Sequence, residues 1–530
     1  MKTGLWLALI VAFNISLVSA QDRPQGLPDD LPGDWYNLSP EKNAVYGVSV
    51  NQAYSYFSEL EIAPVIVAVI DDGVDISHPD LEGRLWINSE EIAENGIDDD
   101  NNGYIDDIYG WNYLGNPDGE NVVEENLELV RLYRPLKEKF ENIEPAQVAK
   151  ADKESYKKYR IYKAIYDEEL GNLNEEFSQY AQLAALYQGA SSYMKNLLET
   201  DELTINDLVK FKPANSDDSQ VRDFLLMAEQ EGLNDYLKEN EEYFESSIKY
   251  HYNLEFNPRY IVNEAEAAKK NTAYGNWMVW AGEPNHGTHV AGIIAATRNN
   301  GKGVNGIARN AQIMSLRAVP NGDERDKDVA LAIRYAVDNG AKVVNMSFGK
   351  SFSANQNLVE EAIKYAASND VLLIHAAGND ASNNDKVDNF PDGRLGKRRS
   401  IDNWITVGAS GPIRDTNFVA EFSNYGRKSV DILAPGVGVL SLVADNDIDS
   451  YSGTSMAAPV VAGIAAVVRG AFPELTAKEV KEIIILSASI DKKLRVQFNG
   501  EEQKARKLIR YAGVPSLFMA LIIADAKSKE

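Results

Sequence analysis

The chain has no cysteine among its 530 residues. Disulfides, thiolate metal sites and a thiol nucleophile are thereby excluded, so stability must come from the core or from bound metal. Histidine is scarce, with five copies. Positive charge is in deficit: 53 Lys and Arg stand against 80 Asp and Glu, a net charge of −27. That balance argues against nucleic acid and anionic membranes as partners, and fits a solubilised exported protein. Beyond the N-terminus no segment has the roughly 20 apolar residues of a membrane span. Lys2 precedes an apolar run, Leu5 to Val18, that closes in Val18-Ser19-Ala20. This reads as a signal peptide over 1–20, cleaved after Ala20, with export to the secreted or periplasmic space. An uncleaved anchor is the alternative. Repeats, phosphate-cradling glycine loops and nucleic-acid modules are also missing.

Three short segments carry the chemistry. Tyr451-Ser452-Gly453-Thr454-Ser455-Met456-Ala457-Ala458-Pro459 places a serine in a small-residue turn before a very apolar helix. A helix N-terminus stabilises developing negative charge, and Pro459 suits a first turn. Val65 to Asp71 is an apolar, β-branched run ending in Asp71-Asp72-Gly73, which reads as a buried parallel strand. Catalytic groups of open α/β sheets collect at that strand edge. Asn285-His286-Gly287-Thr288-His289-Val290-Ala291-Gly292 reads as the start of a closely packed helix. Taken singly, Asp71 is a turn residue, His286 a surface histidine and Ser455 an N-cap. Together they occur in the order Asp, His, Ser.

On these three blocks the chain resembles the subtilisin-like serine proteases, over roughly residues 61–111 and 281–490. The resemblance implies a three-layer α/β/α sandwich with a mainly parallel sheet. It also implies roles. Ser455 attacks a scissile carbonyl, His286 is the base, and Asp71 fixes the imidazole. The oxyanion is met by the Ser455 N–H and the side-chain amide of Asn379, in Ala376-Ala377-Gly378-Asn379. Ser347, Phe348 and Gly349, closing a strand read over Lys342 to Gly349, become an edge that pairs with extended peptide. Ala377 and Gly378 become another wall of an apolar, roomy specificity pocket. His289, His78 and His375 are read as structural. Alternating strands and helices across 281–490 support the α/β class independently.

The implied function is a secreted serine endopeptidase acting on peptide or protein substrates. The alternatives are a protease-like binding scaffold with a blocked cleft and a narrow-specificity processing protease. Two departures stand out. Residues 21–60 form a polar lead-in with a short helix at Val50–Leu60, too short for the folded propeptide that relatives carry. And Asp71 and His286, a few dozen residues apart in relatives, are 215 apart here.

Residues 112–280 therefore read as a helical insertion within a discontinuous peptidase domain, 61–111 with 281–526. Tyr159, Tyr162, Tyr166, Leu170, Leu173, Phe177, Tyr180, Ala184 and Tyr187 follow 3-4 spacing, the apolar stripe of one helix about 42 Å long. Other helices are expected at 122–140, 218–232 and 235–250. The insertion is either decoration or a device that restricts access or recruits a protein partner. Before it, Asp98, Asp100 and Asn102 alternate, followed by Gly103, the Tyr104 carbonyl and Asp106. This follows the first part of a calcium loop, though Tyr109 stands where the closing Glu belongs. The reading is a structural calcium site, with Asp80 as a further candidate ligand. The basic loop 396–400 reads as solvated, or as a processing site.

Overall fold

The computed structural model describes residues 31–270, 273–394 and 401–529; the signal peptide expected over 1–20 and the basic loop 396–400 fall outside them. Seven strands form the central sheet: β1 (Val65–Asp71), β2 (Gly110–Asn112), β3 (Ala311–Arg317), β4 (Val343–Met346), β5 (Leu372–Ala376), β6 (Trp404–Ser410) and β7 (Ile432–Pro435). They hydrogen-bond in the order β2-β3-β1-β4-β5-β6-β7. Every pairing is parallel. Such a sheet is covered on both faces, and side chains alternate between two cores. Val65, Val67 and Val69 of β1 face one cluster, whereas Ala68 and Ile70 face the other.

The strand order reverses at β1, whose neighbours are β3 and β4. A crevice opens at such a switch point, beyond the carboxyl ends of the strands. Asp71, the last residue of β1, stands there.

Eleven helices matter for the argument. The first is α1 (Val50–Tyr56), in the lead-in. Trp35 and Tyr36, in the polar-looking stretch before it, are buried. Next come α2 (Glu128–Phe140), α3 (Lys153–Leu198), α4 (Ser216–Gln230) and α5 (Leu233–Ser246) of the insertion. The sandwich supplies α6 (Asn285–Ala295), α7 (Asp326–Asp338), α8 (Gln356–Ser368), α9 (Thr454–Ala471), α10 (Ala477–Leu486) and α11 (Leu517–Lys527). Residues of α6 and α9 fill one core, and residues of α7 and α8 the other. Helix α9 alone, among the described residues, is long and apolar enough to cross a membrane, but 89% of it is buried inside the fold.

The insertion divides. One compact unit holds 31–169 and 246–529 of the described residues, and the other holds 170–245. Helix α3 spans 46 residues, about 69 Å at 1.5 Å per residue, and contributes to both. It is longer than its stripe predicts, and the stripe serves two different partners. Tyr159 and Tyr166 lie on Tyr133 of α2, with ring centroids 6.0 and 5.1 Å apart. Phe177 and Tyr180 pack on Phe244 of α5 instead.

The two chain ends flanking 170–245 meet within the larger unit. The Tyr166 hydroxyl donates to the Tyr252 carbonyl at 2.9 Å, and the Tyr252 hydroxyl donates to Glu169 at 3.3 Å. Replacing 170–245 with a short flexible linker is therefore expected to leave the remainder folded. Its thermal midpoint should move by less than about 5 °C, read by calorimetry; loss of a cooperative transition would refute the division.

Candidate active site

Asp71 and His286 come together although 215 residues separate them. Asp71 Oδ1 lies 2.6 Å from His286 Nδ1. The carboxylate is buried and also accepts the Asp72 N–H at 2.9 Å, while its Oδ2 has no partner. Asp72, unremarked in the sequence beyond its place in the Asp-Asp-Gly doublet, caps the helix that carries the histidine. Its Oδ2 accepts the His286 N–H at 3.2 Å and its Oδ1 the Gly287 N–H at 2.7 Å. These are first-turn donors without an intrahelical acceptor. Gly287 is required by the approach: a Cβ there would lie 2.0 Å from the Gly73 carbonyl oxygen.

The charges follow from this crowding. Burial and the neighbouring Asp71 carboxylate push Asp72 up to about 7. Burial works against the charged imidazole of His286, but the Asp71 carboxylate, its hydrogen bond and Asp72 outweigh it and raise the group to about 9. The imidazole side chain is 35% exposed, so solvent screens part of that attraction.

Ser455 is the second residue of α9. Its hydroxyl donates to the Ser347 carbonyl at 3.0 Å rather than to His286. In return the Ser347 hydroxyl donates to the Ser455 carbonyl at 2.8 Å and accepts from Asn345 Nδ2 at 2.9 Å. Pro459 explains why that carbonyl is free. It sits at the sixth position of α9, not in the first turn. There its missing N–H leaves the residue four back, Ser455, without a helical donor. The Ser455 N–H is itself a first-turn donor.

Asn379 is exposed and is held by its oxygen. Oδ1 accepts the Thr454 N–H at 2.9 Å and the Thr454 hydroxyl at 3.0 Å, which fixes Nδ2 as the outward group. Thr454 Oγ1 accepts the Gly378 N–H at 3.0 Å. Thus one buried threonine registers the Asn379 turn against the start of α9.

Between the two predicted walls stands a residue the sequence reading passed over. Asn389 donates through Nδ2 to the Ala377 carbonyl at 2.8 Å. A Cβ on Gly349 would meet Asn389 Oδ1 at 2.5 Å. Its carboxamide therefore reaches from Ala377 to Gly349, a polar group beside both of the predicted walls. Phe348, half-buried between Ser347 and Gly349, has its carbonyl bonded by His375 Nε2 at 2.8 Å. Burial lowers His375 to about 4, so it donates as a neutral ring. His289 does the same for the carbonyls of Val439 and Asp449, at 3.0 and 3.1 Å, and burial lowers it to about 3. His78 Nδ1 accepts the Asp80 N–H.

The acidic loop gathers a different set from the one its spacing implies. Glu91, Asp100 and Asp107 bring one carboxylate oxygen each within 4.8 Å of one another. Asp98 turns inward to accept the N–H groups of Asn102 and Gly103, and Asp106 those of Asn95 and Gly96. Asn102 Oδ1 accepts the Tyr104 N–H, and Asn102 Nδ2 bonds Asp100 and Asp107. Burial raises Asp107 to about 6. Glu91 accepts loop N–H groups as well, those of Asp99 and Asp100 through Oε1 and that of Asp106 through Oε2, and three carboxylates this close suit a hard cation. Asp80 bonds Asn300 Nδ2 and the Val304 N–H, so protein groups serve its oxygens.

Comparison with known proteins is consistent with this geometry. The Subtilase family matches over residues 63–511. A thermophilic serine proteinase of Bacillus sp. (strain AK1) is 42% identical over 34% of this chain and 42% of its own length. Alkaline elastase YaB of Bacillus sp. (strain YaB) is 38% identical over 36% and 47%. A cell wall-associated protease of Bacillus subtilis (strain 168) is 35% identical over 38% and 20%. The chain thus spans less than half the length of these curated relatives.

The Asp71–His286 contact has a direct readout. In an NMR titration the His286 ring is expected to lose its proton well above the ordinary value of about 6.5, towards about 9. Asp71→Asn should bring it down. Any reaction using His286 as base needs it neutral, so its rate should rise with pH through that raised value. The limb lies above the about pH 6–7 of an unperturbed imidazole. A ring titrating at or below the ordinary value would contradict the geometry.

Proposed function

The chain belongs to the Subtilase family, and from that premise we propose that it is a serine endopeptidase working through an acyl-enzyme. One observation carries the reading: the 2.6 Å contact between Asp71, at the end of β1, and His286, at the start of α6. Asp71 fixes the tautomer with Nδ1 protonated and leaves Nε2 as the base. Ser455 Oγ turns from the Ser347 carbonyl to that nitrogen as substrate enters. It attacks the peptide carbonyl, the proton passes to His286, and the imidazolium hands it to the leaving amine. Water then repeats the sequence on the ester. The developing oxyanion is met by the Ser455 N–H and Asn379 Nδ2, with positive dipole at the mouth of α9 behind them.

Extended peptide would pair along Ser347–Gly349, with Ala377, Gly378 and Asn389 bounding the side-chain pocket. The carboxamide of Asn389 supports a narrower preference than the bare walls imply, which favours a processing role over broad degradation. Export is supported by Lys2 with Leu5–Val18 and by the relative whose name places it at a cell wall. Recruitment of a protein by 170–245 is a further role we assign to the insertion.

A scaffold reading also has an observation behind it, the Ser455 hydroxyl engaged with Ser347 instead of His286. A fluorophosphonate separates the two. Wild type should be labelled and Ser455→Ala should not. Asn379→Ala should lower peptide turnover about a hundred- to a thousandfold. Folded wild type that takes no label would favour the scaffold.

Calcium is proposed at Glu91, Asp100 and Asp107, where it would neutralise three clustered carboxylates and tie the acidic loop to the Asn88 and Tyr335 side chains bonded to Asp107. Chelator is expected to lower the thermal midpoint, and added calcium to restore it; an unchanged midpoint removes the site.

A further inference from the structure

Lys350 follows the predicted substrate-binding residues Ser347, Phe348 and Gly349 directly, and it is one of the most buried charges in the protein. Its side chain is 1% exposed. A lysine in that setting must be paired, and a buried pair fixes the backbone on both of its sides. Its ammonium lies 2.9 Å from Asp326 of α7 and 3.3 Å from Glu128 of α2, and donates to the Glu324 carbonyl at 2.6 Å. Its backbone is pinned as well, exchanging hydrogen bonds with Phe390 at 2.9 and 2.8 Å. The peptide-binding edge therefore ends in a residue that cannot shift unless the groups around its ammonium shift too.

Glu128 comes from the insertion and is itself built in. Its N–H donates to Asp323 Oδ2 at 2.6 Å, and its carboxylate binds Arg131. Arg131 in turn donates to the carbonyls of Asp323 and Glu324, at 2.9 and 3.1 Å. A second insertion residue reaches the same place. Tyr162 of α3 meets Phe352, two residues beyond Lys350, edge-on at 5.8 Å.

We propose that Glu128 is a positioning residue for peptide recognition: through Lys350 it holds the backbone of Ser347–Gly349 in the register that pairs with substrate. On this view the α2 end of the insertion is part of the cleft's construction, whatever the 170–245 unit does. The proposal rests on the peptidase reading for its kinetics but not for its mechanics. Glu128 touches no reacting atom, so its effect should scale with how much of the strand a substrate uses.

The test compares Glu128→Gln with wild type on a tetrapeptide amide and on a single-residue ester that does not reach the strand. kcat/KM for the tetrapeptide is expected to fall about tenfold, mainly through KM, and ester hydrolysis by far less. Amide hydrogen exchange over 345–352 should quicken about tenfold. Equal losses on both substrates, or unchanged exchange, overturn the proposal. If Glu128→Gln does not fold, Tyr162→Ala decides. It should shift the tetrapeptide-to-ester ratio about threefold in the same direction, and an unchanged ratio overturns the proposal. The exchange arm needs no activity. A wild type that hydrolyses neither substrate counts against the peptidase reading alone, while faster exchange in the variant still supports the mechanical one.

Discussion

The carbonyl of Ser455 has no helical partner, and much of the site is arranged around that gap. Proline four residues on removes the donor, and Ser347 supplies one from just beyond the end of β4. The Ser455 hydroxyl closes the exchange from the other side. A buried, unpaired carbonyl would cost about 1–3 kcal/mol, so strand and helix are held in one register. Ser347 and Ser455 are thereby fixed to each other by two reciprocal hydrogen bonds.

The same economy of partners governs the charges. Asp71 alone would orient His286. Asp72 adds a second carboxylate one residue away, and it is tolerable because its oxygens take the second and third N–H groups of α6. Backbone dipoles absorb a charge that burial would otherwise expel. The cost is visible in Asp72 itself, pushed up to about 7. Farther along the edge, Lys350 is stabilised by the same logic with ions in place of dipoles.

The Asp71–His286 contact was legible in the sequence because each of its residues lies in a compact motif with its local scaffold, a strand end and a helix start. The sheet was legible for the same reason, from buried β-branched runs. What escaped detection depends on meetings between distant segments. Asn389 lies in an Asp-Asn-Phe-Pro stretch that reads only as a turn, and its place between Gly349 and Ala377 is set by tertiary packing. Glu91 falls outside the alternating acidic spacing, so its convergence with Asp100 and Asp107, and its bonds to the loop N–H groups, depend on the folded loop. Trp35 and Tyr36 sit among prolines and aspartates, a composition that reads as solvated lead-in until the core covers them. Pro459 was placed a turn too early because a helix start is less well defined by sequence than a helix interior.

The position of β1 imposes an order of events on the making of this protein. Its two partners, β3 and β4, lie some 240 and 270 residues downstream. At about 5–20 residues per second, roughly ten to fifty seconds of synthesis separate the strand from its first neighbour. Throughout that interval an apolar, β-branched segment waits unpaired. What is made meanwhile is the insertion, whose contacts are largely local and whose helices can form early. Once Tyr166 and Tyr252 meet, the long loop between Asp71 and His286 behaves as a much shorter one, and the entropic cost of closing it falls accordingly. In time, if not in chemistry, the insertion comes first.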